Sequence, residues 1–293
     1  MPEWRGIFAD LARSGCVVDD SCRPAPVGGG DISAAWRVDG VDDPFFLKTG
    51  SADRREMFAA EADGLAEIAA SRTLRVPRVL ATGCSGSTAW LALEWLDLER
   101  GSADSDRRLG AGLAAMHRTT ESDHGWHRDN TIGATPQRNG RCESWCEFYR
   151  EHRLRPQFEL AGRNGFNGAL QAKGESLMAR LEAIFDGHAP APSLLHGDLW
   201  GGNQAVSQGE PVLFDPAVYF GDRETDLAMT RLFGGFSATF YEAYDAAWPL
   251  PPGHEVRTGL YQLYHVLNHL NLFGGSYLAG AERLIDRALD VAN

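Results

Sequence analysis

The sequence predicts an α+β chain of two lobes: a small β-rich first lobe over residues 1–97 with one helix, and a larger, mostly α-helical second lobe over 98–293. Three observations lead there. The first hundred residues hold strand-like runs around a single helical one. From about Leu98 the texture turns helical, and only "SLLHG" and "PVLFDP" interrupt it as short strands. At 293 residues, 43% of them hydrophobic, the chain is long enough for one large core or for two lobes that share a cleft.

In the first lobe, "GGGDISAAWRVDG" reads as a glycine turn leading into a strand, "PFFLKTG" as a short apolar strand carrying a lysine, and "TAWLALEWL" as a strand rich in β-prone aromatics. Between them "DRREMFAAEADGLAEIAASR" is helical by composition and period. Phe58, Leu65 and Ile68 share one face of that helix, and Glu61 falls on the same face. A carboxylate on a core-facing stripe is unfavourable unless it finds a partner, and Lys48 is the candidate. In the second lobe, "DRRLGAGLAAMHR", "SWCEFYREHRL", "SLMARLEAIF", "ATFYEAYDAAW", "TGLYQLYHVLNHLNLFGG" and "AERLIDRALDVA" read as helices.

Bulk properties narrow the classes. A formal charge of −12 and a pI near 5.2 argue against nucleic acid or an anionic membrane as main partner. Five cysteines, an odd number with no C-x-x-C, read as reduced thiols in a cytoplasmic protein. The start "MPEWRGIFADLARSG" is not a signal peptide. The long uncharged run from Thr258 to Ala281 contains Gln262, His265, Asn268, His269 and Asn271, which suits a buried helix rather than a lipid-facing one. His117, His124 and His127 have no carboxylate or cysteine at a standard metal spacing and read as ordinary residues.

The polar residues that break apolar runs come in a telling order: Gly28-Gly29-Gly30, Lys48, Glu61, His196-Gly197-Asp198, Asn203 and Asp215. Phosphoryl transfer needs such parts. A glycine turn lets backbone N–H groups approach phosphate oxygens. A lysine neutralises phosphates and a carboxylate holds the lysine. An aspartate takes the proton of the attacking hydroxyl, and an asparagine with a second aspartate holds Mg2+. The template H-x-D-L-x-x-x-N is met by "HGDLWGGN" without a gap. Each item alone has a plainer reading as a turn or a solvated side chain. A conventional protein kinase is disfavoured, since no A-P-E segment follows and Asp226 comes only eleven residues after Asp215. His196 and Asp226 read as support of the catalytic loop, with a helix N-cap as the alternative for Asp226.

The segments "SLLHGDLWGGN", "LFDPAVYFGDRETDLAM", "YQLYHVLNHLNLFGGSYL", "GGGDISAAWRV", "FFLK", "FAAEADGL" and "DNTIGATPQRNG" together resemble the fructosamine-3-kinase (ketosamine kinase) family over almost the whole chain. The resemblance implies a protein-kinase-like fold shared with aminoglycoside and choline kinases. It implies ATP- and Mg2+-dependent phosphorylation of a sugar hydroxyl, typically the 3-hydroxyl of a fructosamine, after which the product falls apart and frees the amine. By position, Asp198 is then the proton acceptor, Asn203 and Asp215 the metal ligands, and Lys48 and Glu61 the ion pair behind the phosphates. Glu94-Trp95-Leu96 becomes the hinge whose backbone reads adenine. Gly201 stands where relatives commonly have serine, and Asp31 where some carry cysteine.

For the acceptor, which the resemblance makes a ketosamine or a glycated amine or protein, Trp200 is the nearest large side chain to Asp198 in sequence and offers an aromatic face to a sugar. His265 and Asn268 lie on a polar face of the late helix and are candidates for sugar hydroxyls, with an interior hydrogen-bonded network as the other reading. Asp222 and Glu224 are candidates for attracting a cationic amine. An aminoglycoside, choline or a free sugar is the alternative acceptor, and a catalytically dead nucleotide-binding module is the reading from another class.

Overall fold

The structure, a computed structural model, describes residues 4–19, 21–28 and 33–291. They form two compact units, Met1–Ser105 with Gln204–Pro216, and Asp106–Asn203 with Ala217–Asn293. A division at 97/98 therefore misses that Gln204–Pro216 groups with the first unit.

The first unit begins with α1 (Trp4–Arg13), followed by β1 (Ala25–Val27), β2 (Ala34–Asp39), β3 (Pro44–Ser51), α2 (Arg55–Ser71), β4 (Val79–Ser85) and β5 (Thr88–Glu94). The strands make one antiparallel sheet in the order β1-β2-β3-β5-β4. The single helix expected in this part is thus two, because α1 also buries Ile7 and Leu11. These residues form one apolar cluster with Val38, Phe45, Leu47, Trp90 and Ala92. Period-2 alternation then sends Lys48 of β3 to the other face, opposite Leu91 of β5. There it meets α2, which buries Phe58, Leu65 and Ile68 and ends at Arg72 in the left-handed region with φ 56°.

The second unit opens in α3 (Ala103–His117) and continues with a hairpin of β6 (Asn130–Ile132) and β7 (Thr135–Gln137). The expected helix "SWCEFYREHRL" is broken into α4 (Trp145–Phe148), a π-helical segment Tyr149–Leu154 and α5 (Arg155–Arg163). Then come α6 (Ala169–Ile184) and β8 (Ser193–Leu195). Two strands of the first unit follow, β9 (Gln204–Ser207) paired antiparallel with β10 (Glu210–Leu213). Back in the second unit, β11 (Tyr219–Gly221) pairs with β8 and leads into α7 (Glu224–Thr230), α8 (Ala238–Ala247), α9 (His254–Phe273) and α10 (Leu278–Val291). α9 buries the predicted stripe Leu260, Leu263, Leu267 and Leu270, and its Tyr261, His265 and Asn268 as well. No helix among the described residues is long and apolar enough to cross a membrane.

Candidate active site

In the first unit the site is built around one ammonium group. Lys48 Nζ lies 2.6 Å from Glu61 Oε1 and 2.6 Å from Asp215 Oδ1. The strand and the helix bring Lys48 and Glu61 together, and both side chains are nearly buried. Asp215 arrives from β10, two residues past Leu213, with φ 57°. That left-handed conformation is uncommon for a residue with a side chain, and aspartate is among those that tolerate it best. Burial alone would lower the pKa of Lys48, but Glu61 and Asp215 together outweigh it and raise the pKa above its ordinary value. The lysine is therefore a fixed cation with one half-exposed partner, Asp215.

Gly28 directly follows β1, and a Cβ there would meet open space. Gly29, Gly30 and Asp31 lie outside the described residues. Glu94 closes β5, and its N–H donates to the Arg78 carbonyl at 2.8 Å. Its carboxylate accepts from Arg75 at 2.7 Å and from the Arg78 N–H at 3.1 Å. Trp95 packs on Phe46 with Arg37 over its ring at 4.7 Å, and Leu96 is half-buried.

In the second unit, β8 delivers His196, Gly197 and Asp198 from a fully buried strand. Asp226, in the first turn of α7, accepts the N–H of His196 at 2.7 Å and that of Gly197 at 2.8 Å. His117, at the end of α3, places Nε2 3.1 Å from the same carboxylate, while its Nδ1 sits 2.8 Å from the Tyr244 hydroxyl. Burial pushes the Asp226 pKa up, but the His117 contact, with His196 and the Gly197 N–H, brings it below its ordinary value. From the sequence alone His117 reads as an ordinary residue. No local pattern could have marked it, because its partner is 109 positions away.

Gly197 has φ 81°, and a Cβ on it would stand 2.1 Å from the Ala217 carbonyl oxygen, so this position admits only glycine. After it, the Asp198 N–H faces His196 Nδ1 at 3.3 Å. Asn203 Nδ2 donates to the Asp198 carbonyl at 2.9 Å and to Asp198 Oδ2 at 3.3 Å. The two residues expected to carry chemistry in this unit are thus in direct contact. Trp200 between them lies with its ring over Gly202 and stays 41% exposed. A Cβ on Gly201 would meet nothing within 4 Å, so a serine there would fit as well as the glycine.

Four of the residues considered for the substrate lie in the interior. His265 and Asn268 are buried. Asn268 accepts from Gln157 and donates to the Ile132 carbonyl, so it belongs to an interior network. Asp222 and Glu224 are buried too. Asp222 is bound by His188 at 2.6 Å and by Tyr261 at 2.5 Å, and Arg257 clamps both oxygens of Glu224 at 2.8 and 2.7 Å. His188, Asp222 and Glu224 converge closely enough for a metal ion, but Arg257 already neutralises Glu224 there.

The fold is protein-kinase-like, and an aminoglycoside phosphotransferase solved with ADP and hygromycin B shares it with a TM-score of 0.65 at 16% identity, over 97% of each chain. The chain belongs to the fructosamine kinase family, whose model matches residues 18–291. A Synechocystis protein named as a probable ketoamine kinase is 45% identical over 267 residues, 90% of each chain. The Arabidopsis thaliana chloroplastic protein-ribulosamine 3-kinase is 40% identical over 264 residues, 89% of this chain and 80% of that one. The crystal structure of a Haemophilus somnus protein named as a candidate fructosamine-3-kinase aligns with a TM-score of 0.90 at 28% identity, covering 98% and 97% of the two chains. As a member of this family the protein is a phosphotransferase with an alcohol group as acceptor.

Proposed function

We propose that the protein transfers the γ-phosphoryl group of ATP, with Mg2+, to the 3-hydroxyl of fructosamines and related ketosamines. The product then breaks down and frees the amine, so the reaction deglycates small amines or glycated proteins. The observation that carries this reading is the Lys48 ammonium held between Glu61 and Asp215. Such a cation is fixed in place to neutralise the α- and β-phosphates. The N–H of Glu94 is engaged by Arg78, which leaves the main chain of Trp95 and Leu96 to read adenine. The glycines at 28–30 would cover the phosphates.

Asp198 is the residue that accepts the proton of the sugar hydroxyl. Its Oδ2 and carbonyl take hydrogen bonds from Asn203 Nδ2, which restricts how the carboxylate can turn. That orientation also directs the Asn203 amide oxygen away from Asp198. That oxygen and the half-exposed Asp215 carboxylate are each hard oxygen donors of the kind Mg2+ takes. When bound, the ion neutralises charge on the transferring group. His196 and Asp226 hold the loop, and the exposed Trp200 ring offers an apolar face to the sugar. The five unpaired thiols fit a reducing, cytoplasmic setting.

The test is ADP release with ATP and Mg2+ over fructosamines, ribulosamines, free sugars, choline and an aminoglycoside, with Asp198→Asn as control. Turnover confined to ketosamines is expected, falling by about 10²–10⁴ in kcat in the variant. Turnover only on another acceptor overturns the substrate. A wild-type protein that binds ATP and phosphorylates nothing overturns the activity.

A further inference from the structure

Arg153 is a fully buried cation in the π-helical segment, and the hydrogen bonds of its guanidinium go to neutral oxygens. Single π-helical insertions are frequent at functional sites because they re-aim a side chain without ending the helix. Here the guanidinium lies 3.8 Å from the centre of the Tyr219 ring and 4.7 Å from that of Phe148. Its NH1 donates to the carbonyls of Arg138 and His152, and its NH2 to Asn139 Oδ1 at 2.8 Å. A buried charge met only by ring faces and neutral oxygens is unfavourable in isolation. The contacts beyond Asn139 show what it orders.

Asn139 Nδ2 donates to Asn130 Oδ1 at 2.9 Å. Asn130 and Gln137 face each other across the β6–β7 hairpin, and Gln137 Nε2 donates to the same Asn130 oxygen at 2.8 Å. With Oδ1 fixed by two donors, Asn130 must point Nδ2 outward, where it holds the Val218 carbonyl at 2.8 Å. Gln137 Nε2 reaches the Ala217 carbonyl at 3.1 Å, and the Tyr264 hydroxyl fixes its Oε1 at 2.7 Å. Two amides thus grip two successive carbonyls. The gripped segment bears directly on the catalytic loop: the Ala217 N–H donates to the His196 carbonyl at 2.8 Å, and the Ala217 oxygen leaves no room for a Cβ on Gly197.

We propose that Arg153 is a positioning residue for the reaction, acting through Asn139, Asn130 and Gln137 to hold Ala217–Val218 and with it the loop that presents Asp198. The role of Asp198 rests on the function proposed above. Asp226 holds the loop by its N–H groups, and this relay holds it from the side of the His196 carbonyl.

Two variants separate positioning from mere folding. Asn139→Asp keeps and strengthens the partner of Arg153 but removes the donor to Asn130. Arg153→Lys keeps a cation and loses the fork that binds Asn139 and Arg138 together. Each is expected to lower kcat by about tenfold to a hundredfold, since small misplacements of a catalytic group have effects of that size. ATP KM should stay within about twofold, because Lys48, Glu61 and Asp215 belong to the other unit and are untouched. Amide hydrogen exchange of the free enzyme is measured alongside, where the His196 and Gly197 amides should lose protection in both variants. If kcat stays within about twofold of wild type, or if kcat and ATP KM change only in step with a lowered Tm, the proposal fails. Unchanged exchange at both amides also overturns it. Should the wild type phosphorylate no acceptor, the proposed function falls by itself, and the exchange result alone decides whether the relay positions the loop.

Discussion

Two carboxylates, Glu61 in the first unit and Asp226 in the second, resolve the same problem of burial in different ways. Glu61 meets the Lys48 ammonium, which it shares with the half-exposed Asp215. Asp226 is fully buried and is held by two backbone N–H groups and an imidazole. The first arrangement keeps a half-exposed carboxylate, Asp215, on its cation. The second has no open side, and its two oxygens are committed to the loop before Asp198. On the proposed function, phosphate binding falls to the first cluster and loop support to the second, and the openness of each suits that task.

The strongest way to break the comparison is Asp226→Ala. It strands two buried N–H groups and the His117 ring, and is expected to lower stability by about 3–5 kcal/mol. Urea denaturation measures it, and a loss under about 1 kcal/mol would mean that water replaces the carboxylate easily.

Acid sharpens the contrast next. Burial is the main reason that His265 is pushed down to about 3, with His269 and Arg153 adding to it and Asp226 opposing. Burial likewise brings His124 down to about 4 against the pull of Asp222 and Asp123. Both folded pKa values lie below that of an unfolded histidine, so the unfolded chain binds more protons as pH falls below about 6.5. Stability is full above that pH and declines toward the folded values, by about 2 kcal/mol for each histidine at pH 5. The depressed Asp226 adds a further loss only below the ordinary aspartate range, as its folded pKa is crossed. Thermal melts from pH 7 to 5 should show the decline, and His265→Phe should flatten it. A pH-independent Tm would show that the two imidazoles reach water.

The smallest change in stability is expected from Lys48→Met, about 1–3 kcal/mol, since the released Glu61 and Asp215 can still be partly solvated. Its effect on turnover should be far larger, about 10²–10³ in kcat, because a cation placed for the phosphates is lost. A stability loss equal to that of Asp226→Ala would erase the distinction between the two clusters.

Much of this was legible beforehand where a residue sits inside a strong local pattern. Lys48 breaks an apolar strand, Glu61 breaks a helical stripe, and "HGDLWGGN" has its own spacing; all three occupy the elements expected of them. The helical period over Thr258–Phe273 is real, but it marks His265 and Asn268 as a polar face when both are buried, Asn268 against Gln157 and Ile132. A polar residue at helical spacing looks the same whether its partner is water or a buried amide. The hairpin β6–β7 and strand β9 are too short to show a period, and they lack the run of large apolar residues that marks the equally short β8 and β10. β11 carries such a run in its two aromatic residues and escaped notice all the same. α1 was passed over although its apolar residues are regularly spaced, and β4, an edge strand that is largely half-buried, carries too weak an alternation.

By itself the sequence determined the order of the parts: a lysine on a strand, its glutamate on the next helix, an aspartate and asparagine five apart, and a later aspartate. Each depends on neighbours within a few positions, and periodicity and turn chemistry act at that range. Only the tertiary structure decided that His117 would meet Asp226, that Arg153 would turn inward beneath Tyr219, and that Gln204–Pro216 would join the first unit. Those contacts join residues far apart in the chain. They form because packing and hydrogen-bond satisfaction are settled across the whole interior, and they leave no mark in the local spacing of residues.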